Sequence, residues 1–176
     1  MDTPISKCKS QRMGLITALR DFFSPPDDIL AEADIQPGYR VLDYGCGLGS
    51  FTLVAAQLAG AEGKVYAIDI HSLALHKVQK AARKRGFSNI ETIQSDCITE
   101  LDSNSVDVVL FYYVLHWLSD PDSVLGELRR VLKLEGHLSF RDSYMKENET
   151  LASVTGRRWF RLIGKGKKTR RFVKMG

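Results

Sequence analysis

The sequence predicts an α/β fold in which a mostly parallel sheet is covered by helices on both faces. Three observations predict it. Strand and helix signals alternate along most of the 176 residues. The strand interiors are apolar and often β-branched, as strands buried on both faces require. Acids fall at the carboxyl ends of three successive strands, Asp43 closing the first, Asp69 the second and Asp96 just past the third, where open α/β sheets hold their ligands.

The elements follow in order. Leu15, Ile16, Leu19, Phe22 and Phe23 recur at helical spacing before the stop Ser24-Pro25-Pro26, which predicts an amphipathic cap helix within residues 1–26. A short helix from about Asp28 to Ala33 precedes the turn Gln36-Pro37-Gly38, then a strand over Arg40 to Tyr44 and a helix over Phe51 to Ala59. Gly60 to Gly63 breaks that helix before a second strand, Lys64 to Asp69. The next helix carries Lys77, Lys80, Arg83 and Lys84 on a solvated face and stops at Gly86. Strands at Ile90 to Gln94 and Val106 to Tyr112 follow, then a helix over Pro121 to Leu132, a turn at Gly136 and a strand over His137 to Arg141. Asn148 to Val154 forms a last helix, and Arg158 to Ile163 and Thr169 to Met175 flank the turn Gly164-Lys165-Gly166 as a hairpin.

Length and composition bound the class. A chain of 176 residues, 44% hydrophobic, buries one core and has little room for a second domain. Cys8, Cys46 and Cys97 are odd in number and form no Cys-x-x-Cys pair, which points to a reducing cytoplasm without disulfides or a zinc site, and nothing requires a metal. The start Met-Asp-Thr-Pro has no basic and apolar leader, and the apolar run Val108 to Leu115 is far too short to span a membrane.

The most informative segment is Val41-Leu-Asp-Tyr-Gly-Cys-Gly-Leu-Gly49, a buried strand running into glycines at alternate positions. Such a turn lets a bulky ligand lie against bare backbone. A dinucleotide fingerprint fails, because the sixth position from Gly45 is Ser50 and a carboxylate at Asp43 repels a pyrophosphate. S-adenosylmethionine carries no phosphate and has a cationic sulfonium and ammonium, which an acid suits.

On these residues the segment from Pro37 to Phe140 resembles the class I S-adenosylmethionine-dependent methyltransferases, particularly the compact group acting on quinones and other small molecules. The resemblance implies a Rossmann-like, doubly wound sheet of seven strands that the C-terminal antiparallel hairpin completes. It implies one domain over 1–176, with a cofactor-binding core at 37–145 and a basic hairpin at 157–176. Asp43 and the loop Gly45, Cys46, Gly47 and Gly49 are then expected to bind the methionine moiety, and Asp69, twenty residues past Gly49, the ribose hydroxyls. Ile70 is expected against the adenine, Asp96 on its amino group and the Cys97 backbone at its edge. Lys133-Leu-Glu-Gly136 departs from the family's Lys-Pro-Gly-Gly turn without consequence for chemistry.

Phe111 to Trp117 is the stretch that in this family runs beside the transferred methyl. Methyl transfer is an in-line displacement, so orientation comes first and a base is optional. His116 is the candidate base, against the alternative of a packing or capping histidine beside Trp117. Tyr112 is expected to orient the cofactor or shape the acceptor pocket, and since neighbours on a strand point opposite ways, at most one of Tyr112 and Tyr113 faces that pocket. The Asp or Asn-Pro-Pro-aromatic and Pro-Cys motifs of base methylation are missing after the fourth strand. Ser10 to Phe23 is expected to close over the cofactor.

Charge is uneven. Nine of the 25 Lys and Arg lie between Arg157 and Lys174, where no acid occurs; the remaining 16 face 21 Asp and Glu. The tail reads either as gatekeepers on a terminal hairpin or as a patch for RNA or another anionic partner. Three functions follow: methyl transfer to a small molecule, methyl transfer or cofactor binding directed to RNA or protein through the tail, and a nicotinamide oxidoreductase. An activator or structural subunit that keeps the fold without turnover stands beside these three.

Overall fold

The computed structural model describes residues 25–176. The expected cap helix and its closure over the cofactor, and Cys8, lie outside the described residues.

Among the described residues five helices, α1 (Pro26–Leu30), α2 (Ser50–Ala59), α3 (Ser72–Arg85), α4 (Pro121–Val131) and α5 (Glu147–Thr155), alternate with strands β1 (Arg40–Tyr44), β2 (Lys64–Asp69), β3 (Ile90–Gln94), β4 (Val106–Tyr112), β5 (Leu132–Arg141), β6 (Phe160–Lys165) and β7 (Arg170–Lys174). They form one seven-stranded sheet in the order β3-β2-β1-β4-β5-β7-β6. The first five strands pair in parallel and β7 runs antiparallel to both β5 and β6. This is the expected doubly wound architecture with a C-terminal hairpin.

Period-two alternation sorts the strand residues between two cores. Val41, Val65, Val108, Leu110 and Tyr112 pack with α1 and α2 through Ile29, Leu30, Phe51 and Ala55. Leu42, Tyr44, Ile68, Val109 and Phe111 pack with α4 and α5 through Leu125, Leu128, Val131 and Val154. The central strands are therefore covered on both faces, which is why they read as nearly unbroken apolar runs. Burial of this kind contributes roughly 25 cal/mol for each Å² of apolar surface removed from water, so the sheet is a rigid base for whatever sits at its carboxyl edge.

Several boundaries differ from the sequence reading, three of them for reasons the structure shows. The first helix is Pro26–Leu30 and not 28–33, because Pro26 supplies a ready-made first turn. β5 begins at Leu132, which already pairs with Val106, and the expected turn at Gly136 is a bulge within the strand, whose pairing resumes at His137 opposite Val108. A side chain at Gly136 would meet the Asp107 carbonyl at 2.7 Å, so the close approach of two backbones explains that glycine. The hairpin turn falls after Lys165 and closes with Gly166 N donating to Thr169 O at 2.9 Å.

Candidate active site

β1 lies between β2 on one side and β4 on the other, so chain order reverses at β1 and a crevice opens beyond its carboxyl end. The glycine loop stands at that point. Gly45 N and Cys46 N both donate to the Ile68 carbonyl at 2.9 Å, which anchors the loop to β2. Gly45 has φ +74°, and a Cβ there would meet Val114 Cγ2 at 2.4 Å, so packing alone demands glycine. Gly47 is different: its φ is +53° and nothing lies within 4 Å of where a Cβ would stand. Its backbone faces open space. Gly49 heads α2 in the left-handed conformation.

Cys46 contributes backbone. Its side chain is buried against Ala67, Leu75 and Val78, and burial, then the charges of Asp43 and Asp69, push its thiol far above the usual range. Asp43 is only 2% exposed and accepts from Thr52 Oγ1 at 2.6 Å.

Asp69 is the hub. One oxygen accepts from Gly47 N at 2.9 Å and the other from His71 N at 2.9 Å, with His71 Nδ1 at 3.0 Å. Ile70 beside it is 40% exposed, an apolar side chain left open to solvent. The Tyr44 hydroxyl donates to the Asp96 carbonyl at 2.6 Å, fixing the backbone while the Asp96 side chain stays exposed. Burial, reinforced by Cys97 and Asp96, raises that phenol well above its ordinary value, so it remains a donor. Cys97 N donates to Ser95 Oγ at 3.2 Å.

Glu127 was not legible as part of this site. Its carboxylate accepts from Thr99 N at 2.8 Å and Thr99 Oγ1 at 2.6 Å, holding the segment just past Asp96 and Cys97. The hydrogen bond from Arg130, opposed by burial and helped by Thr99, lowers Glu127 to about 2. The signal in the sequence was a carboxylate in the middle of an apolar helix face.

The acceptor side holds a second unforeseen residue. His116 follows β4 in the short helical turn Leu115–Trp117, and its Nδ1 lies 2.7 Å from Asp142 Oδ2. The Asp142 side chain has no exposed surface, and its other oxygen accepts from Tyr144 N at 3.0 Å. Asp142 directly follows β5, so it is a fourth acid at a strand end, and that position was the signal available. The ring of Tyr144 stands 4.7 Å from that of His116 and the 80%-exposed Trp117 ring 5.1 Å from it.

Tyr112 departs from its expected role. Its ring packs edge-on against Phe51, 4.9 Å between centroids, and its hydroxyl is spent on Ser139 at 2.6 Å. It belongs to the core beneath the crevice. Tyr113 instead takes φ +61°, stacks on Phe51 and accepts at its hydroxyl from Arg141 Nε. A non-glycine residue held in that conformation marks a site that the surroundings enforce.

The residues fit the methyl donor that the sequence pointed to: carboxylates and open backbone at the switch point suit a cationic nucleoside. A family model described as a methyltransferase domain matches residues 35–174. The chain belongs to the class I S-adenosylmethionine-dependent methyltransferases. The chain is 29% identical over 126 residues to a demethylmenaquinone methyltransferase of Geobacillus stearothermophilus, covering 71% of the chain and 54% of the relative. It is 32% identical over 122 residues to an aklanonic acid methyltransferase of a Streptomyces species, covering 68% and 56%. The chain spans about half the length of these curated relatives. A solved methyltransferase from Aquifex aeolicus superposes with TM-score 0.79 over 93% of this chain and 98% of that one, at 23% identity, and so shares the fold.

Just over half of the cations of the basic tail are paired with carboxylates of the chain itself. Of its nine cations, Arg157 pairs with Asp122, Lys165 and Arg170 with Glu147, Lys168 with Asp28 and Arg171 with Asp34. That leaves the nucleic-acid reading without support. No helix among the described residues is long and apolar enough to cross a membrane.

Proposed function

We propose that this chain transfers a methyl group from S-adenosylmethionine to a small-molecule acceptor carrying an acidic oxygen or carbon. The observation that carries the reading is the glycine loop at the switch point, open at Gly47 and tied through Gly47 N to the Asp69 carboxylate. When bound, S-adenosylmethionine supplies a methyl carbon already activated by its positive sulfur. The Gly45–Gly49 backbone above Asp43 receives the methionine portion. Asp69, with two oxygens for a vicinal diol, receives the ribose, and Ile70, Asp96 and the Cys97 backbone receive the adenine.

His116 is the base. Asp142 accepts from Nδ1–H and so leaves Nε2 with its lone pair free for the acceptor's proton. An aspartate with no exposed side-chain surface holds the imidazole in one tautomer and stabilises the imidazolium formed as the methyl moves. Tyr144 and Trp117 flank the ring with flat apolar surface, which suits a planar acceptor. The names of the similar proteins, a demethylmenaquinone and an aklanonic acid methyltransferase, point the same way. Free Cys46 and Cys97 fit a reducing compartment, the cytoplasm.

Two measurements test the proposal. Titration calorimetry with S-adenosylhomocysteine is expected to show one site, and no binding overturns it. Methyl-labelled S-adenosylmethionine with a metabolite extract is expected to label a small molecule, whereas label confined to RNA or protein overturns the acceptor assignment.

A further inference from the structure

A cleft of about 220 Å³ opens beyond the carboxyl end of β5, between α5 and the β6–β7 turn, with Asp142 in its wall. Its lining divides by chemistry. Phe140, Met145 and Leu151 give an apolar floor, and Arg141, Lys167, Lys168 and Arg170 a cationic rim. The two acids of the lining are already engaged, Asp142 by His116 and Tyr144 N, and Glu147 by Lys165 and Arg170. Glu147 holds Arg170 and Asp28 holds Lys168, so the rim cations without a carboxylate among the described residues are Arg141 and Lys167.

The floor also holds an orphan. Thr150 is 5% exposed, and its Oγ1 has no hydrogen-bond partner among the described residues. A threonine within a helix ordinarily returns its hydroxyl to a carbonyl one turn back, and Thr155 does so, to Leu151 O at 2.7 Å. A buried hydroxyl left unpaired costs about 1 to 3 kcal/mol, and this one belongs to a residue of the cleft wall.

The geometry points to this cleft as the subsite for the carboxylate of an apolar, aromatic acid, the anionic end of the methyl acceptor. The inference rests on the proposed methyl transfer in one respect: Asp142 is shared between the cleft wall and the His116 pair, so a molecule seated by its acid group is presented to the base. An inorganic anion would satisfy the rim and waste the floor. A neutral hydrocarbon would fill the floor and leave the rim and Thr150 unanswered. An aromatic carboxylate answers both.

The test uses the full chain with 13C-methyl methionine and follows Met145, assigned through Met145→Leu, on titration with 2-naphthoate, its neutral analogue 2-naphthylmethanol, and inorganic phosphate. Saturable movement of the Met145 methyl with naphthoate is expected, with the alcohol at least about tenfold weaker and phosphate unable to compete. Thr150→Val and the surface variant Lys167→Gln are each expected to weaken naphthoate about three- to tenfold. An unmoved methyl, an alcohol as tight as the acid, phosphate that displaces naphthoate, or both variants at parental affinity overturns the inference. S-adenosylhomocysteine titrated into the same sample separates the two conclusions. If it binds while naphthoate does not, the cleft assignment alone fails. If it does not bind, the methyltransferase reading fails whatever the cleft does.

Discussion

The Asp69 carboxylate accepts a hydrogen bond from the backbone amide of Gly47 at 2.9 Å, so the acid ending β2 and the open turn after β1 form one mechanical unit. Asp69→Ala removes the acceptor for a ligand diol and also releases the loop. Its affinity for S-adenosylhomocysteine by calorimetry is expected to fall by about 1.5 to 3 kcal/mol. Unchanged affinity would take the ribose assignment away.

Two glycines of the loop are expected to separate stability from binding. Gly45→Ala drives a methyl into Val114 and strains a positive φ, for about 2 to 4 kcal/mol of stability by chemical denaturation. Gly47→Ala has room and bears only the backbone strain, about 1 kcal/mol, while placing a methyl where the ligand lies. The first variant is expected to unfold early, the second to fold and bind poorly. Equal stability losses would refute the distinction.

The His116–Asp142 pair predicts a split between turnover and binding. His116→Gln is expected to lower kcat about 10²- to 10³-fold and erase the acid limb of its pH profile, with S-adenosylhomocysteine affinity within about twofold of the parent. Asp142→Asn keeps the shape but no longer holds the tautomer, for a smaller loss. A kcat profile with an intact acid limb in His116→Gln removes the base.

Acid is expected to destabilise the fold in two windows. His137 is buried, its Nε2 lies 2.7 Å from the Ala33 carbonyl, and burial lowers its pKa below the ordinary 6.5. The unfolded chain therefore takes up that proton first, and stability falls as pH drops through 6.5. Glu127, at about 2 against 4.5 unfolded, contributes fully above 4.5 and is lost between the two values, worth about 2 kcal/mol. Thermal melts from pH 8 to 3 read both windows, and Glu127→Gln is expected to flatten the lower one.

Internal pairing of the tail predicts weak retention on heparin, with early elution in salt, and stronger retention for a variant carrying Asp28→Asn, Glu32→Gln and Asp34→Asn. Tight parental retention with a steep salt dependence would restore an anionic partner.

Most of the frame was readable because helix and strand periodicities, glycine stops and strand-end acids are local signals. β1 to β4 begin and end at the expected residues. What escaped depends on residues far apart in sequence. Asp142 acquires meaning only when β5 pairs with β4 and brings it to His116, 26 positions away. Tyr112 was misplaced because alternation tells that two neighbours point apart and not which of them meets the core. The strand content of Leu132 to Gly136 was hidden because its bulge looks like a turn when read alone. The tail's cations looked free because their acids sit more than a hundred residues earlier or on helices whose facing surfaces only the fold decides.

The Glu32 carboxylate gathers the backbone amides of Lys168 and Thr169 and the Thr169 hydroxyl at 2.8 to 3.2 Å. Burial works against its charge, but these donors win and hold it ionised. Because that clasp joins positions 136 and 137 apart, a ribosome has to deliver everything up to the β6–β7 turn before the early acids meet their cations. Until Thr169 emerges, the growing chain carries Asp28, Glu32 and Asp34 uncompensated and the edge of β5 bare. Assembly of the sheet therefore waits for β7, and a product cut short ahead of it is a substrate for quality control.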